Sequence, residues 1–144
     1  NLNIIEKADS IFSFAQAEYQ RAQYSKCREL CEMATNLNPR LSKTHLLIGK
    51  AYISTVNICK DVENASHKIC EDIIWAAFDE WEKSIVKGDK ENQAKLLIER
   101  YSSYLPTKEH FKACFSAPTV TEGDDYFVEC WIQRKTQIRF HKNF

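Results

Sequence analysis

The sequence predicts an all-α fold that ends in a small β-hairpin. Apolar residues recur with a period of about 3.6 over the first two thirds of the chain. Only three glycines occur, which disfavours an all-β protein. Near the C-terminus the period changes to two, as in strands with one buried face. The length of 144 residues and the hydrophobic content of 44% fit one domain.

Charge and composition exclude several classes of function. The 20 basic and 20 acidic residues cancel, so no net field favours a general nucleic-acid binder. The scarcity of glycine argues against Gly-rich loops that bind phosphates or dinucleotides. No apolar run reaches the roughly 18 residues of a membrane-spanning helix. We therefore predict no nucleic-acid partner, no membrane span and no cofactor.

Two amphipathic helices open the chain. The first has the apolar stripe Ile4, Ile5, Ala8, Ile11, Phe12, Ala15 and Tyr19, and the second has Cys27, Leu30, Cys31, Ala34 and Leu37. Pro39 ends the second helix, because proline cannot continue a helix. Only a short polar link at residues 21–25 separates the two helices, so we expect them to pack antiparallel.

A third helix, a loop and a fourth helix follow. Ser42 is a suitable N-cap for the third helix, whose apolar stripe contains His45, Ile48 and Tyr52. Residues 58–66 lose the periodicity and are predicted to form a loop. The fourth helix resumes near residue 66 and ends near Gly88. Its inward face comprises Cys70, Ile73, Ile74, Ala77, Phe78, Trp81 and Ile85.

The last part of the chain contains a capping helix and the hairpin. Asp89 is a suitable N-cap for the fifth helix, which stops before Pro106. Residues 111–118 connect it to two strands, around residues 126–132 and 137–140, which a turn near Arg134 and Lys135 joins. The predicted organisation is therefore residues 1–105 as helical repeats with a capping helix, and residues 106–144 as a linker and hairpin packed on them in a single structural unit.

The first two helices resemble a tetratricopeptide repeat (TPR) unit, which has about 34 residues. The matching positions are Ile11, Phe14, Ala15, Tyr24, Cys27, Cys31, Ala34, Leu37 and Pro39. A second unit starts at Ser42, with matches at Leu47, Ile48, Gly49, Ala51 and Tyr52. The second helix of that unit, with Ala77, Trp81 and Ser84, follows only after an inserted loop. The resemblance implies a superhelix of about two antiparallel hairpin units.

The later sequence is similar to the C-terminal region of TPR proteins from Bacteroides-type bacteria. The similar stretches are Trp-Ala-Ala-Phe-Asp at 75–79, a Tyr-x-x-Tyr-Leu-Pro-Thr-Lys-Glu stretch at 101–109, Glu-Gly-Asp at 122–124 and Trp-Ile at 131–132. This resemblance implies protein binding rather than catalysis. The chain begins with Asn1 rather than methionine, and we expect further TPR units upstream. The resemblance and the cysteine content favour a periplasmic or cell-surface location.

In TPR domains the first helix of each unit lines a concave surface that receives a peptide or helix from a partner. By motif position, the partner-binding residues here are Phe12, Gln16, Tyr19, Lys43, Leu46 and Lys50. The resemblance therefore implies a non-catalytic scaffold that binds a protein segment with an apolar and an acidic side chain. Two alternatives remain open: a small thiol- or metal-dependent enzyme, and a structural end-cap of a longer repeat array.

Four cysteines are candidates for disulfides. Cys59 and Cys70 flank the inserted loop, and Cys114 and Cys130 flank the segment that leads into the hairpin. In an oxidising compartment, a bridge within either pair would close a loop and add about 3 kcal/mol of stability. We expect these two pairings.

The remaining cysteines and the histidines give only weak indications of a catalytic or metal site. Cys27 and Cys31 occupy core positions and are expected to be buried free thiols. Two His/Cys groups supply too few ligands for a recognised zinc site: His67 with Cys70 and Cys59, and His110 with Cys114. A thiol and base pair at His110 and Cys114 has no identifiable orienting partner. We predict no catalytic residue and no metal site.

Charged residues form two clusters in the second half of the chain. Acidic residues alternate with lysines on the fourth helix at Asp79, Glu80, Glu82, Lys83 and Lys87, as on a solvated face with ion pairs. Basic residues collect near the C-terminus at Arg134, Lys135, Arg139, His141 and Lys142. The second cluster predicts a weak anion-binding surface on the hairpin.

Overall fold

Seven α-helices and a two-stranded antiparallel sheet make up the described residues, 2–62, 72–115 and 121–141, of the computed structural model. The elements are α1 (Leu2–Gln20), α2 (Tyr24–Leu37), α3 (Lys43–Ser54), α4 (Val56–Val62), α5 (Ile73–Val86), α6 (Gln93–Tyr101), a 3₁₀ turn (Ser102–Tyr104), α7 (Lys108–Phe115), β1 (Asp125–Val128) and β2 (Arg134–Gln137). The prediction of a mainly helical chain with a small C-terminal hairpin is confirmed at this level.

Helices α1 and α2 form an antiparallel hairpin. Residues 21–23 connect them, and Ala22 makes the reversal in the left-handed region at φ 59°. Small side chains lie where the two helices meet, because the backbones approach most closely there. Ala15, Cys27 and Ala34 are fully buried in this contact.

Helices α3 and α5 make the second large helix contact of the fold. Trp81 of α5 is fully buried, and its Nε1 donates a hydrogen bond to the carbonyl oxygen of Leu46, 3.2 Å away. The indole lies so close to α3 that a Cβ added at Gly49 would overlap it. Glycine at this position therefore sets how closely α5 packs on α3. Helix α3 also packs on α2, so it lies between α2 and α5.

The predicted loop at residues 58–66 is wrong for its first part, which is helical. The hydroxyl of Thr55 donates to the carbonyl oxygen of Tyr52 at 2.8 Å, and the backbone N–H of Cys59 donates to the carbonyl of Thr55 at 2.8 Å. The chain thus ends α3 and starts α4 within one turn, and Cys59 is 1% exposed. Apolar periodicity is too short in α4 to reveal a helix of this length. Residues 63–66 lie outside the described part of the chain.

Helices α6 and α7 begin at side-chain caps. Asp89 accepts hydrogen bonds from the backbone N–H groups of Gln93 at 3.1 Å and Ala94 at 2.8 Å, so it caps α6 as predicted, although Asn92 is the residue that precedes the helix. Helix α7 occupies part of the predicted connecting segment 111–118. The hydroxyl of Thr107 accepts the N–H of His110 at 3.1 Å, a capping contact that the sequence pattern did not predict.

The strands pair antiparallel, with Asp125 opposite Gln137 and Val128 opposite Arg134. The predicted turn at Arg134 and Lys135 is wrong, because both residues belong to β2. Residues 129–133 make the connection, with left-handed backbone at Cys130 and Gln133. The alternation of apolar residues continues beyond β1 because side chains of this connection also point towards the helices. It does not indicate a longer strand.

The hairpin connection is anchored on α2 and on the junction of α3 and α4. Arg28 donates from Nη1 to the carbonyl oxygen of Ile132 at 2.7 Å, and its guanidinium lies 4.8 Å from the Trp131 ring centroid. Trp131 donates from Nε1 to the hydroxyl of Thr55 at 2.9 Å. These polar contacts surround Ile132, which is fully buried.

A second apolar cluster joins α5, α7 and the strands. Trp75 is fully buried, and its ring centroid lies 5.6 Å from that of Phe111 and 5.2 Å from that of Tyr126. Its Nε1 donates to the carbonyl oxygen of Arg139 at 2.8 Å. Ile138 and Phe140 complete the cluster. The region after residue 105 is thus packed on the helices through its own small core.

A disulfide joins Cys59 of α4 to Cys130 of the hairpin connection, with Cα atoms 5.8 Å apart and a sequence separation of 71. Both predicted pairings, Cys59 with Cys70 and Cys130 with Cys114, are therefore wrong. The hairpin connection folds back onto α4, which brings together two cysteines that are remote in sequence. Cys70 and the side chain of Cys114 lie outside the described residues.

The disulfide gives a direct prediction for peptide mapping. Digestion of the unreduced protein, after free thiols are blocked, should release a linked peptide pair that contains Cys59 and Cys130. Reduction should separate the pair, and Cys130→Ser should lower the free energy of unfolding by about 2–4 kcal/mol. Cys27 and Cys31, both fully buried, should react with a thiol reagent only after unfolding. A peptide that links Cys59 to Cys70 would contradict the structure.

Candidate functional site

A groove of about 620 Å³ lies between α1, α3 and the turn that connects α5 to α6. It contains five of the six residues that the sequence assigned to partner binding. These are Phe12 and Gln16 from α1, and Lys43, Leu46 and Lys50 from α3. The helical period places them on facing sides of two adjacent helices, so they share one depression.

Tyr19, the sixth predicted residue, does not line the groove. Its hydroxyl lies 3.2 Å from the hydroxyl of Ser54, and its ring packs edge-on against Tyr24 at 5.7 Å between centroids. Tyr19 therefore holds the C-terminal ends of α1 and α3 together. One helical turn further along α1 than Gln16, it has left the depression.

The floor of the groove is apolar. Phe12 is 6% exposed and Leu47 is 8% exposed, while Leu46 is half-buried beside them. The ammonium of Lys43 lies 4.9 Å from the Phe12 ring centroid and 3.2 Å from a carboxylate oxygen of Asp9. Lys43 therefore lies between the floor and the rim, and the negative charge of Asp9 partly balances its positive charge.

The groove carries an excess of positive charge, because five cationic and two acidic residues line it. Asp89 uses its carboxylate to cap α6, and Glu91 accepts a hydrogen bond from the side chain of Gln93. Among the described residues, no acidic side chain forms an ion pair with Arg40, Lys50 or Lys90. The three cations lie at the rim where a negatively charged ligand would meet them.

A row of three hydrogen-bonded side chains lies beside the groove, at the contact of α3 with α5. Nδ1 of His45 lies 2.8 Å from Oε2 of Glu80, and Nε2 lies 2.7 Å from Nζ of Lys87. The side chains of His45 and Glu80 are 10% and 13% exposed. Lys83 makes a longer contact of 3.7 Å with the other oxygen of Glu80.

The environment shifts the pKa of both ends of this row. Burial alone would raise the pKa of Glu80, but the hydrogen bond with His45 and the positive charge of Lys83 outweigh burial, so the pKa lies below its usual value. Desolvation lowers the pKa of Lys87, and the charge of Lys83 acts in the same direction, while Glu80 opposes them. Glu80 is therefore firmly ionised at neutral pH.

The sequence places His45 correctly in the buried stripe of α3, but its prediction for Glu80 is wrong. Glu80 was expected on a solvated face, and His45 was expected as one member of an apolar stripe. The Glu80 side chain is only 13% exposed and lies in the α3–α5 contact beside His45, rather than on a solvated face. The available signal was a histidine within an apolar stripe, together with a glutamate next to a core tryptophan, Trp81. Neither signal alone identifies the partner across the helix contact.

The predicted anion-binding surface on the hairpin is not supported, because acidic groups already face its cations. Arg134 pairs with Glu32 at 3.3 Å, and Lys135 pairs with Asp125 at 2.9 Å. Arg139 binds Asp79 and Glu82 on α5. The acidic cluster of α5 thus holds the hairpin in place. Lys142 lies outside the described residues.

The zinc and thiol alternatives find little support in the described part of the chain. Cys59 is consumed by the disulfide, and no group of three or more potential metal ligands occurs among the described residues. The hydrogen bond with Cys27 and burial both raise the pKa of the Cys31 thiol, which stays protonated. His67, Cys70 and the side chain of Cys114 lie outside the described residues.

No helix among the described residues is both long and apolar enough to cross a membrane. The chain matches no protein-family model, no curated protein and no solved structure. Functional assignment therefore depends on the geometry of the groove and of the adjacent row of side chains.

The contact of Glu80 with His45 predicts a pH-dependent contribution to stability. Because folding lowers the pKa of Glu80 below its usual 4.5, the contribution is fully present above that pH and disappears as the pH falls through the folded value. Glu80→Gln should therefore cost about 1–3 kcal/mol at pH 7, and progressively less as the pH falls below about 4.5. Urea unfolding of both proteins across this range measures the difference.

Glu82→Gln is the matched control, since Glu82 lies on the same helix but is 55% exposed. It should change stability little at any pH. A cost of Glu80→Gln that does not decrease as the pH falls below about 4.5 would contradict the assignment of an ionised Glu80.

Proposed function

We propose that this chain is a non-catalytic protein-interaction module that binds an extended acidic peptide segment in the groove between α1 and α3. One observation carries the proposal: five residues selected by repeat position line a single groove whose rim cations lack acidic partners in the described structure. The volume of about 620 Å³ lies within the range of ligand sites, about 300–1,000 Å³.

The groove offers two kinds of contact to such a segment. An apolar side chain of the peptide would pack against Phe12 and Leu46, where burial removes apolar surface from water. Carboxylates on either side of it would form charge-assisted hydrogen bonds with Lys50 and Arg40. An extended peptide suits this arrangement because its alternate side chains point in opposite directions, towards the floor and towards the rim.

We also propose that α1 with α2, and α3 with α5, are two TPR-like units, the second interrupted by α4 and the segment that follows it. The support is the burial of small residues at helix contacts: Ala15, Cys27, Ala34 and Ala77 are all fully buried. Stacked hairpins leave the first helix of each unit exposed along one groove. This arrangement explains why repeat position selects groove residues.

A random peptide library tests the proposal while leaving the identity of the partner open. Selection on the immobilised chain should enrich eight-residue peptides that combine an apolar residue with flanking aspartate or glutamate. Affinity should fall as salt is raised, since exposed charges are screened. In the Lys43→Glu, Lys50→Glu double variant, binding of the enriched peptides should weaken at least about tenfold.

The matched control for this charge reversal is Lys108→Glu on α7, which is exposed and lies outside the groove. It should leave peptide affinity unchanged. Enrichment of neutral or basic peptides, or the absence of any enrichment from a folded chain, would refute the proposed function and favour a structural end-cap.

A further inference from the structure

The contacts in the row of Glu80, His45 and Lys87 indicate which of the two ring nitrogens of His45 carries the proton. A charged lysine ammonium has only donors, so Nε2 of His45, 2.7 Å from Nζ, must accept. The ring proton then lies on Nδ1, which donates to the Glu80 carboxylate 2.8 Å away. Nε2 of His45 therefore directs its lone pair at the Lys87 ammonium.

Such an arrangement is that of a nucleophile, a base and a group that orients the base. Nε2 of His45 can take a proton from the Nζ ammonium, which leaves a free amine with a lone pair, and Glu80 holds the ring in the tautomer that accepts this proton. Desolvation lowers the pKa of Lys87, which increases the fraction of free amine at neutral pH. A purely structural contact between α3 and α5 would not require a lysine at the end of the row.

Lys87 also has access to solvent on both sides of α5. It lines the groove between α1 and α3, and it lines a second cavity of about 660 Å³ between α5 and β2. On the groove side lie Lys50 and Lys90, which have no acidic partner within the described part of the chain. A reactant that reaches Lys87 from the groove would therefore be favoured if it had a negative charge.

We propose that Lys87 is a modification site that forms an imine with a small carbonyl compound bearing an anionic group. The Nζ lone pair attacks the carbonyl carbon, and the amine proton passes to Nε2 of His45. That proton moves to the former carbonyl oxygen, which gives a carbinolamine. The second Nζ proton then passes through Nε2 to the hydroxyl group, water leaves, and a C=N bond replaces the C=O bond. No electron donor or acceptor is needed, because the step is a condensation.

Pyridoxal 5′-phosphate is a suitable probe, because it combines an aldehyde with a phosphate. The chain is incubated briefly with the probe, the imine is reduced with borohydride, and the modified lysines are identified by peptide mapping. Lys87 should be modified at least about tenfold faster than exposed lysines such as Lys108. Pyridoxal, which lacks the phosphate, should show a weaker preference for Lys87.

Two variants separate a reactive amine from a merely accessible one. His45→Gln keeps a hydrogen-bond acceptor but cannot take the proton, so labelling of Lys87 should fall by about tenfold or more. Lys83→Arg keeps the positive charge near Glu80 and should leave the labelling of Lys87 unchanged. Circular dichroism and thermal unfolding establish that each variant is folded.

Modification of Lys87 at the rate of Lys108 in the wild-type chain would overturn the proposal, even if His45→Gln fails to fold. An unchanged rate in folded His45→Gln would overturn it as well. No peptide is present in the experiment, so its outcome is independent of the peptide selection, and either proposal can fail alone.

Discussion

The close contact between α3 and α5 is the constraint on which the rest of the structure depends. Gly49 leaves room for the indole of Trp81 directly against the α3 backbone, where Nε1 reaches the carbonyl oxygen of Leu46. This approach brings His45 opposite Glu80 and places the end of α5 beside the groove. A larger residue at position 49 would separate the helices and remove both arrangements at once.

The charge of the groove follows from how the chain satisfies its own backbone. The N-terminus of α6 has N–H groups without a partner inside the helix, and Asp89 satisfies two of them with its carboxylate. The carboxylate keeps its negative charge and still lines the groove, but it is directed at these N–H groups, so Lys50 and Lys90 have no ion-pair partner among the residues that the structure describes. A chain of zero formal net charge can therefore present a locally cationic groove, because other acidic residues, such as Asp79 and Glu82, lie against the hairpin.

Local periodicity explains which parts of this structure the sequence could predict. The stripes in α1, α2 and α3 are long enough to define helix faces, and the resemblance to a TPR unit then implied, by repeat position, that Phe12, Gln16, Lys43, Leu46 and Lys50 share one surface. Tyr19 has the same period but lies one turn beyond the depression. The position at which a groove ends depends on the length over which the two helices stay in contact. The apolar periodicity of each helix carries no information about that length.

Long-range contacts explain what could not be predicted. Cys59 and Cys130 meet only because the hairpin connection docks on α4, and neither loop length nor spacing encodes that docking. The same holds for Glu80, whose charge suggests a solvated position but whose partner, His45, lies across the helix contact. Asp79 was likewise expected in water, but it accepts hydrogen bonds from Thr136 and Arg139 of the hairpin. In each case the deciding partner lies on another element.

A double-mutant cycle on Gly49 and Trp81 tests the central contact most directly. In the wild-type chain, Gly49→Ala should lower the free energy of unfolding by about 1–3 kcal/mol, because the new methyl group overlaps the indole. In a Trp81→Leu background the overlap is absent, and alanine should stabilise the helix by up to about 1 kcal/mol. Urea unfolding of the four proteins measures both effects. A change of sign between the backgrounds is the predicted result, and the same stabilising effect of Gly49→Ala in both would contradict the account.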